Sequence, residues 1–135
     1  MTMPKQTQPE HTQAAIERKR ILLVENDAPV REGLARALTV ESYEVVTAAS
    51  SHDAIRQIAG ARIDAMLLDL DQQDDRRWQT VRHLTTKNPS MPVIGMTARH
   101  GRNWLADAAD LEDLLQKPFD VTSLLRIVAA FPRKN

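Results

Sequence analysis

Short apolar runs alternate with helix-spaced apolar positions along most of this chain. Residues 21–24 (Ile-Leu-Leu-Val) form a continuous apolar run, the pattern of a strand buried on both faces. Pro29 follows where a first helical turn tolerates it, and Val30, Leu34, Ala37 and Leu38 recur at helical spacing. Residues 43–47 are a β-branched strand candidate. Ser51 is placed to cap a helix carrying Ala54, Ile55, Ile58 and Ala59. Residues 65–68 predict a third strand. Trp78, Val81, His83 and Leu84 mark a helix that ends near Asn88-Pro89. Residues 93–96 predict a fourth strand, and Trp104, Leu105 and Ala108 a short helix. Residues 113–116 predict a brief fifth strand, and Leu124, Leu125, Ile127 and Val128 a last helix stopped near Pro132. Strands alternating with helices imply right-handed crossovers. The expected fold is therefore α/β, a doubly wound five-stranded parallel sheet with helices on both faces.

Four of the apolar runs end in polar residues. Glu25-Asn26-Asp27 follows the first, Asp69 the third, Thr97 the fourth and Lys117 the fifth. In an open parallel sheet the carboxyl ends of the strands share one edge, where ligands bind. The pattern thus predicts carboxylates, a hydroxyl and an ammonium gathered in one crevice, a set suited to a divalent cation and a phosphoryl group.

Composition narrows the possibilities further. The chain has 135 residues, enough for one domain of ordinary size, and 42% of them are hydrophobic. Two Trp, one Tyr and two Phe leave the core to aliphatic side chains. Eighteen basic residues balance eighteen acidic ones, so no net field favours nucleic acid. The absence of cysteine excludes disulfides, thiol catalysis and Cys-ligated zinc, and suits a cytoplasmic setting. No apolar stretch approaches the ~20 residues that span a bilayer. The polar start of the chain, with Pro4 and Pro9, has no secretory-signal core. Residues 1–19 read as a flexible polar tail, with a docking or dimerising arm as the alternative. Residues 20–132 read as the folded domain.

Each polar position has a plain reading beside the chemical one. A strand-end Asp is often a turn residue or a cap, Thr is common in strands, and a lone Lys is usually solvated. Glu25-Asn26-Asp27 could be turn chemistry capping the first helix. Their order on successive strand ends is what favours chemistry. Asp69 is the candidate nucleophile, since a carboxylate forms an acyl phosphate when the incoming group is held in line and its charge neutralised. Magnesium takes one or two carboxylates plus phosphate oxygens and waters, which Glu25, Asn26 and Asp27 could help supply. Thr97 could donate to a phosphoryl oxygen, and Lys117 could pair with Asp69 when no phosphate is present. Mutual repulsion should raise one carboxylate pKa, and Lys117 or a cation should oppose that rise.

The residues that carry these positions resemble a known family. Residues 21–31 (Ile-Leu-Leu-Val-Glu-Asn-Asp-Ala-Pro-Val-Arg) look like the opening of a two-component response-regulator receiver domain. Residues 64–71 resemble its phosphoacceptor strand, residues 92–99 its switch strand, and Gln116-Lys117-Pro118-Phe119-Asp120 its Lys-Pro-Phe signature. The resemblance covers residues 20–131 and implies a flavodoxin-like, receiver-type fold. It implies that Asp69 accepts a phosphoryl group from a phosphohistidine donor and that the domain is a signalling module rather than an enzyme. Glu25 and Asn26 would occupy the acidic pocket, and Asp71 would offer a backbone carbonyl to magnesium. Thr97 would be the switch hydroxyl and Lys117 the phosphate-sensing lysine. A cis peptide bond before Pro118 is also implied. The implied partners are a sensor histidine kinase or histidine phosphotransfer protein upstream and a protein target downstream, with no nucleic acid or membrane.

The chain departs from the family pattern at several points. Asn26 supplies a neutral oxygen where Asp is usual, so magnesium should bind more weakly. The loop after Asp69 (Asp71-Gln72-Gln73-Asp74-Asp75-Arg76-Arg77) lacks the usual Pro and Gly. Leu114 stands where an aromatic residue normally couples to the switch hydroxyl. Trp104 is either a partner-binding anchor or a space filler. No output module is recognisable after Phe131, which favours a single-domain regulator. Two alternatives compete with the phosphorylatable receiver. One is a degenerate receiver acting only by protein contact. The other is a haloacid-dehalogenase-like phosphatase, because Asp69-Leu70-Asp71 fits an Asp-x-Asp nucleophile motif.

Overall fold

The computed structural model describes residues 18–57, 62–71, 77–87, 89–98 and 111–130. Five strands form one parallel sheet: β1 (Arg20–Val24), β2 (Glu44–Ala48), β3 (Ala65–Asp69), β4 (Val93–Thr97) and β5 (Asp113–Gln116). Four helices are described: α1 (Ala28–Val40), α2 (Ser51–Gln57), α3 (Arg77–Lys87) and α4 (Val121–Ala130). The strand order is β2-β1-β3-β4-β5, so β3 is central and the chain reverses direction across the sheet after β2. The register pairs Val24 with Leu68 and Asp69 with Met96, which aligns the strand ends.

β1, β3 and β4 are apolar runs because both of their faces are covered. Leu22, Val24, Met66, Leu68 and Val93 face one core with Ala54 of α2. Ile21, Leu23, Leu67, Ile94 and Met96 face the other core, with Leu34 and Leu38 of α1 and Leu124 and Val128 of α4. Side chains alternate between the two cores along each strand, as the strand period of two requires. Fully burying one such leucine or isoleucine stabilises by roughly 1.5–3 kcal/mol. The strands' combined burial therefore fixes what stands at their ends.

The helix ends show how local sequence sets boundaries. Asp27 caps α1 by accepting the Val30 N–H at 3.1 Å, and a proline stands in the first turn. At the other end, Ser42 N–H bonds to Thr39 carbonyl at 2.9 Å and Tyr43 N–H to Leu38 carbonyl at 3.1 Å. This is a Schellman closure, with Ser42 in the left-handed region at φ 73° where glycine is usual. Tyr43 and Leu38 then share one apolar core. At α2 the sequence points to Ser51 as the cap, and the structure corrects this by one residue. The Ser50 hydroxyl accepts the Asp53 N–H at 3.1 Å, and Ser51 is the first helical residue.

The expected strands agree with those observed to within a residue at each end. Lys19, which the sequence places in the tail, is tied to the sheet, since its carbonyl accepts the Glu44 N–H at 2.9 Å. The rest of the expected tail, the short helix around Trp104 and residues 72–76 of the loop after Asp69 lie outside the described residues. The Lys117–Pro118 peptide bond is cis, as the resemblance implies.

Candidate functional site

Glu25 follows the last residue of β1, Asp69 ends β3, Thr97 ends β4 and Lys117 follows β5. These strands are neighbours in the sheet, so the four side chains share one edge. Sheet-type hydrogen bonds continue past the strand ends and hold these positions. Glu25 N–H donates to Ala48 carbonyl (3.0 Å), Leu70 N–H to Met96 carbonyl (2.8 Å) and Lys117 N–H to Thr97 carbonyl (2.7 Å).

Lys117 is the hub of the crevice. Its Nζ lies 3.0 Å from Asp69 Oδ1, 3.5 Å from Glu25 Oε1 and 3.8 Å from Asp71 Oδ2. The expected pairing of Lys117 with Asp69 is therefore present. Glu25, Asp69 and Thr97 are almost wholly buried, at 2%, 4% and 0% exposure. Asp69 Oδ1 also accepts the Asp71 N–H at 3.0 Å, a turn in which the aspartate side chain bonds the backbone two residues on.

The electrostatics follow from this packing. Burial pushes the Glu25 carboxyl above its ordinary value. Asp27 N–H, donating to Oε2 at 3.2 Å, opposes the rise, Asp69 adds to it and the Lys117 charge opposes it. Burial works against the Lys117 ammonium as well, but the hydrogen bond to Asp69 and the fields of Asp69, Glu25 and Asp71 outweigh it. The Lys117 pKa is therefore raised. One carboxylate is perturbed upward, as expected, although desolvation contributes more than repulsion.

The acidic triplet after β1 divides its labour. Glu25 enters the crevice, Asp27 caps α1, and Asn26 is exposed. The Arg31 guanidinium anchors this turn, donating to the Glu25 carbonyl at 2.8 Å and the Asn26 carbonyl at 3.4 Å. The capping reading holds for Asp27, and Glu25 stands beside Lys117 in the crevice.

Two groups are not evident from the sequence pattern. The Asp71 side chain accepts the Thr97 hydroxyl at 2.7 Å (Oδ1) and the Ala98 N–H at 2.8 Å (Oδ2). The family resemblance implies a role for the Asp71 carbonyl alone. The Ala98 amide, a backbone donor, leaves no trace in side-chain patterns. Leu114, at the expected aromatic position, packs against the core on the α2 side of the sheet. It helps fill the space over Gly95, where an added Cβ would lie 2.7 Å from Leu70 Cδ1, 2.8 Å from Leu111 Cδ1 and 3.2 Å from Leu114 Cδ1.

Magnesium can be tested against this donor set. Glu25 Oε1 is buried and accepts no hydrogen bond, and it shares Lys117 with Asp69. Two carboxylates, one with an oxygen still to satisfy, fit what magnesium takes from a protein. Among the described residues no three His, Cys, Asp or Glu side chains form a metal-holding group. A cation there would depend on Glu25 and Asp69 supplemented by carbonyl, water and phosphoryl oxygens.

A doubly wound parallel sheet with an acidic, lysine-bearing crevice at its carboxyl edge defines a flavodoxin-like domain. The chain belongs to the response regulator receiver domain family, whose model matches residues 21–129, and is thus a receiver domain of the two-component type. It is 32% identical over 118 residues to the response regulator MprA of Mycolicibacterium vanbaalenii, covering 86% of this chain and 51% of that protein. The chain spans about half the length of the curated relatives it matches. Solved structures agree on the fold. The CheY-like receiver domain protein of Methanospirillum hungatei aligns with TM-score 0.76 at 23% identity, over 84% of this chain and 92% of that one. TrrA of Thermotoga maritima, solved in complex with Mg2+-BeF, aligns with TM-score 0.74 at 23% identity, over 84% of this chain and 99% of that one. Family membership sets aside the haloacid-dehalogenase-like reading of Asp69-Leu70-Asp71. Among the described residues no helix is long and apolar enough to cross a membrane.

Proposed function

We propose that Asp69 is the phosphoacceptor of a two-component phosphorelay. A carboxylate oxygen of Asp69 attacks the phosphorus of a phosphohistidine. The P–N bond breaks, its electron pair returns to the imidazole, and an acyl phosphate remains on Asp69. The observation that carries this reading is the convergence of Lys117 Nζ on buried Asp69 and Glu25, at 3.0 and 3.5 Å. A half-buried ammonium beside the attacking carboxylate is suited to balance the charge a phosphoryl group brings. Magnesium, when bound by Glu25, Asp69 and the Asp71 carbonyl, supplies further positive charge to the phosphoryl oxygens. Asn26, a neutral and exposed neighbour, adds little to that affinity.

Once the acyl phosphate forms, Thr97 and Lys117 are its natural ligands from β4 and the end of β5. Their contacts bias the loops and helix that follow, which is how a receiver signals to a protein partner. The upstream partner in this reading is a sensor histidine kinase or histidine phosphotransfer protein, and the setting is the cytoplasm. The test is incubation with acetyl phosphate and magnesium, followed by intact mass. A phosphate-sized gain that disappears in Asp69→Asn and on chelation is expected. A gain that survives in Asp69→Asn would overturn the assignment.

One observation favours a second reading, a domain that docks without phosphorylation. The Asp71 carboxylate already holds the Thr97 hydroxyl and the Ala98 amide. No gain from acetyl phosphate or from a phosphorylated kinase, in folded protein, is the result this reading expects.

A further inference from the structure

The phosphoacceptor reading uses Asp71 only through its backbone, yet both oxygens of its side chain are hydrogen-bonded in the crevice. Oδ1 accepts the Thr97 hydroxyl at 2.7 Å, and Oδ2 accepts the Ala98 N–H at 2.8 Å. Oδ2 also lies 3.8 Å from Lys117 Nζ. A hydroxyl, a backbone amide and an ammonium from three separate residues thus converge on one anion. Hydrogen bonds to an ionised acceptor are stronger than neutral ones, so this is a built seat for negative charge. The same residue's N–H bonds to Asp69 Oδ1, which sets the seat directly beside the phosphoacceptor. The Asp71 side chain is 28% exposed, so solvent reaches it and its displacement buries no charge.

We infer that the Asp71 carboxylate is an internal occupant of the phosphoryl seat, holding Thr97, Ala98 and Lys117 in the place of phosphoryl oxygens. The inference rests on the reading of Asp69 as phosphoacceptor. Two consequences follow. A phosphoryl group on Asp69 must displace Asp71 from Thr97 and Ala98, so Asp71 opposes phosphorylation. The switch hydroxyl is also held toward the crevice before any phosphate arrives, so phosphorylation changes its surroundings less than an empty seat would.

A purely structural tie between the β3 loop and β4 makes the opposite prediction. Cutting a tie loosens Thr97 and weakens any ligand that needs it, whereas removing an occupant strengthens that ligand. Fluoroberyllate with magnesium, a phosphoryl analogue, separates the two. The full chain is titrated by calorimetry as wild type, Asp71→Ala, Asp71→Asn and Asp69→Asn, while NMR follows the Thr97 and Ala98 amides. Asp71→Ala is expected to bind about tenfold more tightly than wild type, the equivalent of one charge-assisted hydrogen bond no longer displaced. Asp71→Asn, which keeps an acceptor but loses the charge, is expected between the two. The Ala98 amide should shift further on binding in Asp71→Ala than in wild type. Equal or weaker binding by Asp71→Ala, with wild type still binding, overturns the occupant and leaves the phosphoacceptor standing. No binding by either folded protein overturns both. Undiminished binding by Asp69→Asn overturns the reading of Asp69 itself.

Discussion

Replacing Lys117 with methionine keeps the side chain's bulk and removes its charge. It leaves Glu25 and Asp69 buried at 2% and 4% exposure with no cation between them. At an effective dielectric of ~20, unit charges at the observed 3.0 and 3.5 Å attract by about 5 kcal/mol each. Desolvation of the ammonium opposes that gain, so the net value is smaller. Removing one partner of a buried pair typically costs roughly 3–5 kcal/mol. Two features lower it here. The Lys117 side chain is 25% exposed, so water can enter its place. Glu25 can also escape by taking a proton. With an ordinary carboxyl value of 4.5, its neutralisation at pH 7 costs at most about 3.4 kcal/mol. The expected loss at pH 7 is therefore about 2–3 kcal/mol, a fall in Tm of roughly 10 °C. A carboxyl whose pKa is raised on folding penalises the folded state at high pH, and the penalty fades as pH falls toward 4.5. At pH 5 the escape costs only about 0.7 kcal/mol, so the Lys117→Met penalty should shrink by half or more. Urea unfolding of wild type and variant at the two pH values measures this directly. Equal stability at pH 7, or a penalty unchanged at pH 5, would refute the view of Lys117 as the compensating charge of a buried acid pair.

Two further substitutions test the frame of the site. Gly95→Ala drives a methyl to within 2.7 Å of Leu70 and 2.8 Å of Leu111, and should destabilise by about 1–2 kcal/mol through overpacking; a raised urea midpoint would contradict it. Ser42→Gly relieves a left-handed residue at φ 73° in the closure of α1, offset by glycine's greater freedom when unfolded. A gain of about 0.5 kcal/mol is expected by thermal unfolding, and a loss would mean that Ser42 stabilises the turn in some other way.

Much of this molecule is legible in its amino-acid order because parallel strands buried on both faces must read as unbroken apolar runs. β1, β3 and β4 do, and the polar residues that close those runs mark the crevice. Pro29 and the spacing of Leu34 and Leu38 locate α1 in the same way. What the pattern does not carry depends on single contacts. Ser50 and Ser51 are adjacent and chemically alike, and only backbone geometry decides which one caps α2. The Asp71 carboxylate meets Thr97 from 26 residues away, a distance no local pattern encodes. A signal is present all the same, in an acid two positions beyond one strand end and a hydroxyl at the end of the next strand. The triplet at Glu25 shows the converse, since one run of polar residues supplies both a helix cap and a partner of Lys117.

The ion pairs of Lys117 also bear on how the protein comes together. One of them spans 48 residues, and its pair with Glu25 joins the first strand to the last. Contacts of such long range form late, after the loops between them have closed. The crevice is therefore a record of completed assembly, since no fragment lacking β1 or β5 can hold all of its charges. A chain released early from synthesis, or nicked and missing its last strand, would carry Asp69 and Glu25 without the lysine that pairs with both. In this architecture the full charge set of the crevice exists only in the completely assembled sheet.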